Sequence, residues 1–547
     1  MSTVESPLGR PTEEYDVVVL GTGAAGLTAG LAAARAGARV GLFEKTDRIG
    51  GTTALSGGVI WLPDNPVARA EGVEDSREDA LAYLAALSND TMRPEMVEAF
   101  VDTVDELVDW LDTETPVRLK LVARYPDYHP EHPGGRPGGG RSLESELVCT
   151  DKIGDWVDRL MGTPRRMLIG EIPSGGGTGV LPAAVRAERD KHHLEGLGRG
   201  LVASLLQGCL EAGVEPRTGL RAAELLHEEG RVVGVRLTGA DGALTVRTGA
   251  VVIATGGFEW DESLVRAFLR GPVGHLPTAR ANTGDGLRLA MRAGAELGAM
   301  QFAWWVPVVA PPGLVDADGN SDSLLLLRER TLPGTVMVNR HGVRFANEAA
   351  NYNALGATFH AFDPVEFAYA NIPAWLILDS RCVDRYGCFG TAPGRPAPEW
   401  LVRAESVAEL ADAIDVPTDA LAGTLERFNE HVRGGHDPDF HRGESIYDGW
   451  CGDQQHYGTP QATLGSVAAP PYFAARVHPS TLGTKGGPTT TIDGQVVDLG
   501  GTPIPGLYAA GNAMAAPTGI AYGGAGGTLG PALVFGYRAG CAAAARR

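Results

Sequence analysis

Apolar positions along the chain alternate between two periods, and the switches between them mark the elements. The run Tyr15–Leu20 leads into Gly-Thr-Gly, a small-residue segment Ala24–Ala36 and a second short apolar run, Arg39–Glu44. This pattern predicts strand, glycine turn, helix and strand, a compact β-α-β unit with parallel strands. Val17–Ala34 is an uncharged stretch of 18 residues, near the length of a membrane span. Its Gly-Thr-Gly-Ala-Ala-Gly interior punctuates a helix badly, which favours the β-α-β reading. Helical spacing recurs over Ser76–Leu87, Glu95–Leu111 and Leu201–Ala212, whereas Leu121–Glu144, rich in Pro, Gly and aromatics, reads as a structured loop. Gly219–Val246 alternates as strands broken at Glu228-Glu229-Gly230 and Ala240-Asp241-Gly242, and leads into an apolar strand, Ala250–Ala254. From about Pro277 to Phe473 the pattern is mixed; after His478 glycine-rich strands and turns return, with a last helix near Pro531–Arg546.

Within the first unit the residues Gly21-x-Gly23-x-x-Gly26 follow a strand and open a helix, and Glu44 ends the next strand. Gly21 allows the tight turn, Gly23 the approach of backbone to a pyrophosphate, and Gly26 close helix–strand packing. The helix N-terminus offers oriented N–H groups to phosphates, and an acid at the spacing of Glu44 suits ribose hydroxyls. The expected fold class is therefore α/β. A Rossmann-like dinucleotide-binding domain with a β-meander, residues 1–276 and 477–547, is split by an inserted α+β domain, residues 277–476, that carries substrate.

Composition narrows the function. Glycine supplies 75 of 547 residues, about twice the usual share of ~7%, without a G-X-Y period. These glycines serve turns or close approaches of backbone to a bound group. Lys+Arg number 47 against 67 Asp+Glu, a net charge of −20, which argues against nucleic acid as a partner. The six cysteines contain no C-x-x-C pair, so neither a disulfide framework nor a zinc site is expected. Glu5, Arg10, Glu13, Glu14 and Asp16 precede any apolar run, unlike a signal peptide; no integral membrane segment and a cytoplasmic setting are expected. His129 and His132 lack metal-site context and read as loop residues, so no metal is expected.

Three separated stretches carry a family resemblance. The residues Gly50-Gly51-Thr52-Thr53-Ala54-Leu55-Ser56-Gly57-Gly58, then Ala254-Thr255-Gly256-Gly257-Phe258, then Gly506-Leu507-Tyr508-Ala509-Ala510-Gly511-Asn512 resemble the FAD-contacting stretches of the fumarate reductase/succinate dehydrogenase flavoprotein superfamily. The resemblance implies FAD as cofactor, held by Gly21, Gly23, Ala24, Ala25 and Gly26, with Glu44 and Lys45 on the adenosine side. It further implies contacts from Gly51, Thr52, Thr53, Ser56, Gly57 and Gly58, from Thr255, Gly256 and Gly257, and from Gly511, Asn512, Thr528 and Leu529. Membrane-bound members attach flavin covalently to a histidine; the counterpart here is Gly51 or Thr52, which implies non-covalent FAD. His478 matches a family histidine near the flavin, as a substrate contact or a structural hydrogen-bonding residue.

Dicarboxylate-using members hold fumarate with arginines. One lies four residues after the Glu of an Asn-Glu motif, here Asn347-Glu348 followed by Tyr352; another matches Tyr522 in Gly519-Ile520-Ala521-Tyr522-Gly523-Gly524. Tyrosines in both places resemble the 3-ketosteroid dehydrogenases. The C-terminal signature of the Δ1-dehydrogenases among them, a tyrosine four residues before a glycine, matches Tyr522 and Gly526, and a Tyr-x-Asp-Tyr segment followed by Pro-Gly-Gly matches Tyr125-Pro126-Asp127-Tyr128 with Pro133-Gly134-Gly135. The resemblance implies desaturation α,β to a ring ketone. A phenol hydroxyl and a backbone N–H, Tyr522 and Gly526, clamp the carbonyl oxygen as it gains enolate character. Tyr352 takes the α proton with Tyr128 assisting, and FAD takes the β hydride, to be reoxidised by an external electron acceptor. Tyr125 is the alternative to Tyr128. Free tyrosine has a pKa of ~10, so a second phenol is expected to help stabilise the phenolate. Trp304 and Trp305 either line a pocket for a ring system or pack the core.

Overall fold

The computed structural model describes residues 12–546; Glu5 and Arg10, invoked above against a leader, lie outside them. The first β-α-β unit forms as the pattern dictates, with strands Thr12–Leu20 and Val40–Phe43 flanking helix Ala24–Arg35. Thr12–Leu20 lies at the centre of a parallel run, with Val40–Phe43 on one side and Gly242–Ile253 on the other; Pro503–Ala509 continues it beyond Gly242–Ile253. Val17, Val18, Val19, Val251 and Val252 are fully buried, the continuous apolar runs expected of parallel strands covered on both faces. The meander Arg221–Glu228, Arg231–Gly239 and Gly242–Ile253 turns at the two predicted glycine sites. Its third strand is longer than predicted: one half pairs within the meander and the other extends into the parallel sheet, so the expected separate strand at 250–254 is its end.

The last helix, Leu529–Ala545, packs on the first, Ala24–Arg35. Small residues set the distance between them. A side chain at Gly540 would meet the Ala29 carbonyl oxygen at 2.4 Å, and one at Gly536 the Ala25 oxygen at 2.7 Å. The close crossing brings both helix N-termini to one end of the parallel sheet, so sequence-distant glycine segments converge on one site.

A second sheet is antiparallel, in the order Leu324–Leu325, Ala303–Val309, Tyr472–Thr484, Ala374–Asp379 and Thr335–Asn339, with Val402–Ala404 also on Tyr472–Thr484. Tyr472–Thr484 runs through the expected 476/477 boundary and carries the chain from this sheet back toward the glycine-rich segment. Strand alternation separates the tryptophan pair: Trp304 joins an aromatic cluster, whereas Trp305 packs against Phe258 and Leu287 on the other face. No helix among the described residues is long and apolar enough to cross a membrane.

Candidate active site

Three tyrosines from three distant parts of the chain meet at their hydroxyls. Tyr128 Oη lies 2.9 Å from Tyr352 Oη, which lies 2.9 Å from Tyr522 Oη. Thr528 Oγ1 lies 3.3 Å from Tyr522 Oη at the other end of the chain of hydroxyls. All three rings are buried, with 3%, 9% and 5% of their surface exposed, inside a cluster with Trp304, Tyr447, Trp450, Ile169 and Val306. Tyr125 is buried as well, but its ring packs at a tilt against Trp450, with centroids 4.7 Å apart, and it has no hydroxyl contact with Tyr352. Burial pushes the phenol pKa of Tyr128 and Tyr352 well above the usual value, and that of Tyr522 upward. The hydrogen bond from Tyr128 acts in the opposite direction at Tyr352 and offsets the burial only in part.

Each tyrosine is held by structure around it. Tyr352 opens helix Tyr352–Thr358, whose N-cap Asn351 accepts from the Ala354 N–H at 2.9 Å, satisfying an otherwise orphaned donor. Asn351 Nδ2 lies 3.0 Å from His129 Nε2, so His129, in its loop as expected, also braces the cap. Upstream, Glu348 is fully buried between Arg344 and Arg442. Burial alone would raise its carboxyl pKa, but the two guanidinium groups outweigh that and hold it below the usual range. The Asn-Glu motif thus anchors the segment that presents Tyr352.

Tyr128 and Tyr522 are tied together through Trp61. The Tyr128 N–H donates to the Gly523 carbonyl at 2.9 Å, and Tyr83 Oη donates to the same oxygen at 2.6 Å. Trp61 Nε1 donates to Asp127 Oδ1 at 2.8 Å, while its backbone N–H donates to the Gly526 carbonyl at 3.1 Å. Burial pushes the Asp127 carboxyl up to about 6 despite Arg141 beside it. Gly526 has φ +96°, and a side chain there would meet the backbone nitrogens of Trp61 and Ile60 at 2.5 and 2.6 Å. Its N–H has no hydrogen-bond partner among the described residues, the condition for a donor that is to meet a ligand.

A sequence profile of an FAD-binding domain matches residues 16–529. The chain belongs to the FAD binding domain family. Its cofactor is FAD. The 4-oxocyclohexanecarboxylate 2-dehydrogenase of Sinomonas cyclohexanicum is 39% identical over 98% of this chain and 94% of its own length. A 3-oxosteroid 1-dehydrogenase of Mycobacterium tuberculosis is 38% identical over 96% of this chain and 98% of its own. The crystal structure of 3-ketosteroid delta1-dehydrogenase from Sterolibacterium denitrificans, in complex with 1,4-androstadiene-3,17-dione, superposes with a TM-score of 0.88 at 31% identity, covering 98% of this chain and 100% of that one.

The expected FAD-binding residues fit that group. The N–H groups of Ala25 and Gly26 at one helix N-terminus, and of Thr528 and Leu529 at the other, have no partner among the described residues. A side chain built at Gly51 would meet nothing within 4 Å, and one at Gly23 nothing nearer than 3.6 Å. The buried Thr255 Oγ1 and Glu259 Oε2 also lack partners among the described residues. Other expected contacts are engaged within the protein. Thr53 Oγ1 accepts from Ala24 N, Thr52 Oγ1 from Ala279 N and Asn282 Nδ2, and Ser56 Oγ from Gly58 N. Asn512 Oδ1 accepts from Trp304 Nε1 at 3.0 Å. Glu44 accepts from the backbone and hydroxyl of both Thr22 and Thr46, which fixes its carboxylate at the end of Val40–Phe43. Lys45 instead turns to Asp285 at 2.9 Å and Thr283 at 2.8 Å. The ring of His478 lies 4.3 Å from that of His275, and burial with this neighbour holds its pKa down at about 4.

The His129–Asn351 cap, the Trp61–Asp127–Arg141 network and the buried arginines around Glu348 were not foreseen. Asp127, His129, Asn351 and Glu348 all stood in or beside motifs already singled out, but no motif marks their pairings.

Proposed function

We propose that the chain is an FAD-dependent dehydrogenase that introduces a C=C bond α,β to a ring ketone, with 3-ketosteroid Δ1-dehydrogenation as the leading activity. The observation that carries this is the hydroxyl chain Tyr128–Tyr352–Tyr522, together with a Gly526 N–H, four residues after Tyr522, that has no partner among the described residues. Hydrogen bonds running from Tyr128 to Tyr352 and from Tyr352 to Tyr522 leave the Tyr522 proton available for a ketone oxygen. With the Gly526 N–H it forms a two-donor clamp that stabilises enolate character. Tyr352 is the base for the α proton, and Tyr128, donating to Tyr352, stabilises the phenolate oxygen that acts. FAD supplies the hydride acceptor, held non-covalently because Gly51 and Thr52 offer no histidine for attachment. The Trp304, Tyr447 and Trp450 walls exclude water from the forming enolate and suit an apolar ring system. An external electron acceptor completes the cycle. A cytoplasmic setting agrees with six free cysteines.

A second substrate, a small carboxylated cyclohexanone, is favoured by the 39%-identical relative named for one. Anaerobic titration of the holoenzyme with a 3-ketosteroid panel, a cyclohexanone panel and succinate tests the reading. Bleaching of the oxidised flavin band by ring ketones, fastest with steroids, is expected; bleaching by succinate alone overturns it.

A further inference from the structure

Behind Tyr522 lies a buried cation with no part in the reaction described above. Lys485, fully buried, follows strand Tyr472–Thr484. Its backbone is fixed on both sides: its N–H donates to the Phe302 carbonyl and its carbonyl accepts from the Ala516 N–H. The ammonium donates to three consecutive carbonyls, those of Gly519 at 2.9 Å, Ile520 at 3.2 Å and Ala521 at 2.7 Å. The next residue is Tyr522. Nζ also sits 3.8 Å from the centre of the Trp304 ring, which itself meets the Tyr522 ring edge-on at 4.7 Å. Its contacts are thus carbonyl oxygens and an aromatic face, and among the described residues no carboxylate pairs with it.

Burial pulls the pKa of this amine well below the usual value, whereas its contacts favour the charged form. An ammonium has three N–H donors to match three carbonyls, whereas a neutral amine has two. A buried charge without a counter-ion is costly, and here the carbonyls and the Trp304 face offset that cost one residue and one ring away from Tyr522.

We propose that Lys485 is a positioning residue that places a positive charge behind Tyr522, fixing the Tyr522 turn and strengthening its hydroxyl as a donor to an oxygen that becomes anionic. This rests on the reading that Tyr522 meets the ketone oxygen. The cation acts on the transition state more than on the ground state, since the ketone is neutral until the α proton leaves.

The test uses the holoenzyme and 2-naphthol, a ring phenol whose ionised form mimics the enolate and is read by difference absorbance. The wild type is expected to bind naphthol in competition with ring ketone and to hold its pKa about one unit lower than K485M does, a tenfold change in ionisation constant. In turnover K485M is expected to lose about tenfold in kcat with KM changed less than about twofold, the pattern of an interaction made in the transition state. If K485M does not accumulate as folded protein, K485Q, which keeps two N–H donors without the charge, gives the same comparison. Equal naphthol ionisation in wild type and variant overturns the role of Lys485. Naphthol that ring ketone does not displace, or that binds Y522F as it binds the wild type, overturns the placement of the oxyanion on Tyr522 instead.

Discussion

Substituting Tyr352 by Phe removes one oxygen from the middle of the hydroxyl chain and leaves the rest of the site in place. Two hydrogen bonds of 2.9 Å are lost. Tyr522 keeps Thr528 Oγ1 at 3.3 Å, whereas Tyr128, 3% exposed, loses its bond to Tyr352. One buried hydroxyl deprived of its partner costs about 1–3 kcal/mol, within the margin of a protein of this size, so Y352F is expected to fold and retain flavin. The kinetic loss is larger. A positioned base contributes about 10²–10⁴ in rate, or about 3–5 kcal/mol of activation free energy at 1.36 kcal/mol per decade. Anaerobic stopped-flow mixing with saturating ring ketone reads the bleaching rate of oxidised flavin directly, and titration with the unsaturated product checks that the clamp still binds. A Y352F bleaching rate within about tenfold of wild type would refute the assignment of the base.

Three further outcomes follow from the same geometry. Y522F removes one of the two donors proposed for the ketone oxygen and is expected to lower kcat about 10²–10³-fold, measured by steady-state turnover with flavin content unchanged. Because burial raises the Tyr352 phenol above its ordinary value, the phenolate fraction climbs with pH throughout the working range. Log kcat/KM should therefore rise toward a slope of +1 without a plateau below about pH 10, and a plateau near neutrality would contradict a Tyr base. E348A leaves the buried Arg344 and Arg442 without their shared carboxylate; a loss of about 3–5 kcal/mol should appear as a lowered Tm, and an unchanged Tm would remove Glu348 from the anchoring role.

Elements whose partners are local were legible from pattern alone. The turns of the meander, the first β-α-β unit and the last helix all carry glycine punctuation or continuous apolar periodicity. The predicted helix Glu95–Leu111 is instead two, Pro94–Asp102 and Val104–Glu114. Thr103, at the break, bonds its hydroxyl to the Ala99 carbonyl at 2.6 Å and accepts from Arg538 at 2.8 Å, a tertiary contact that apolar spacing does not record. Strand Ser142–Ser145 fell inside a predicted loop because its partners, Val59–Trp61 and Leu119–Leu121, are separate short segments. The three tyrosines were found because motif positions marked them. Lys485 was invisible for the opposite reason: its acceptors are backbone carbonyls, which every residue carries. The size of the phenol shift was not legible either, because desolvation, which depends on the completed fold, exceeds the effect of a neighbouring hydroxyl.

The crossing of Gly536 and Gly540 on Ala25 and Ala29 also fixes when the protein becomes competent. One wall of the cofactor cleft emerges from the ribosome among the first residues described, and its opposite wall about five hundred residues later. At a synthesis rate of about 5–20 residues per second, the nascent chain spends about 25–100 s with the first helix made and its mate missing. Flavin capture is therefore a late event that follows translation of the C-terminal helix, and nascent chains that stall short of Gly536 carry an apolar helix face with no lid.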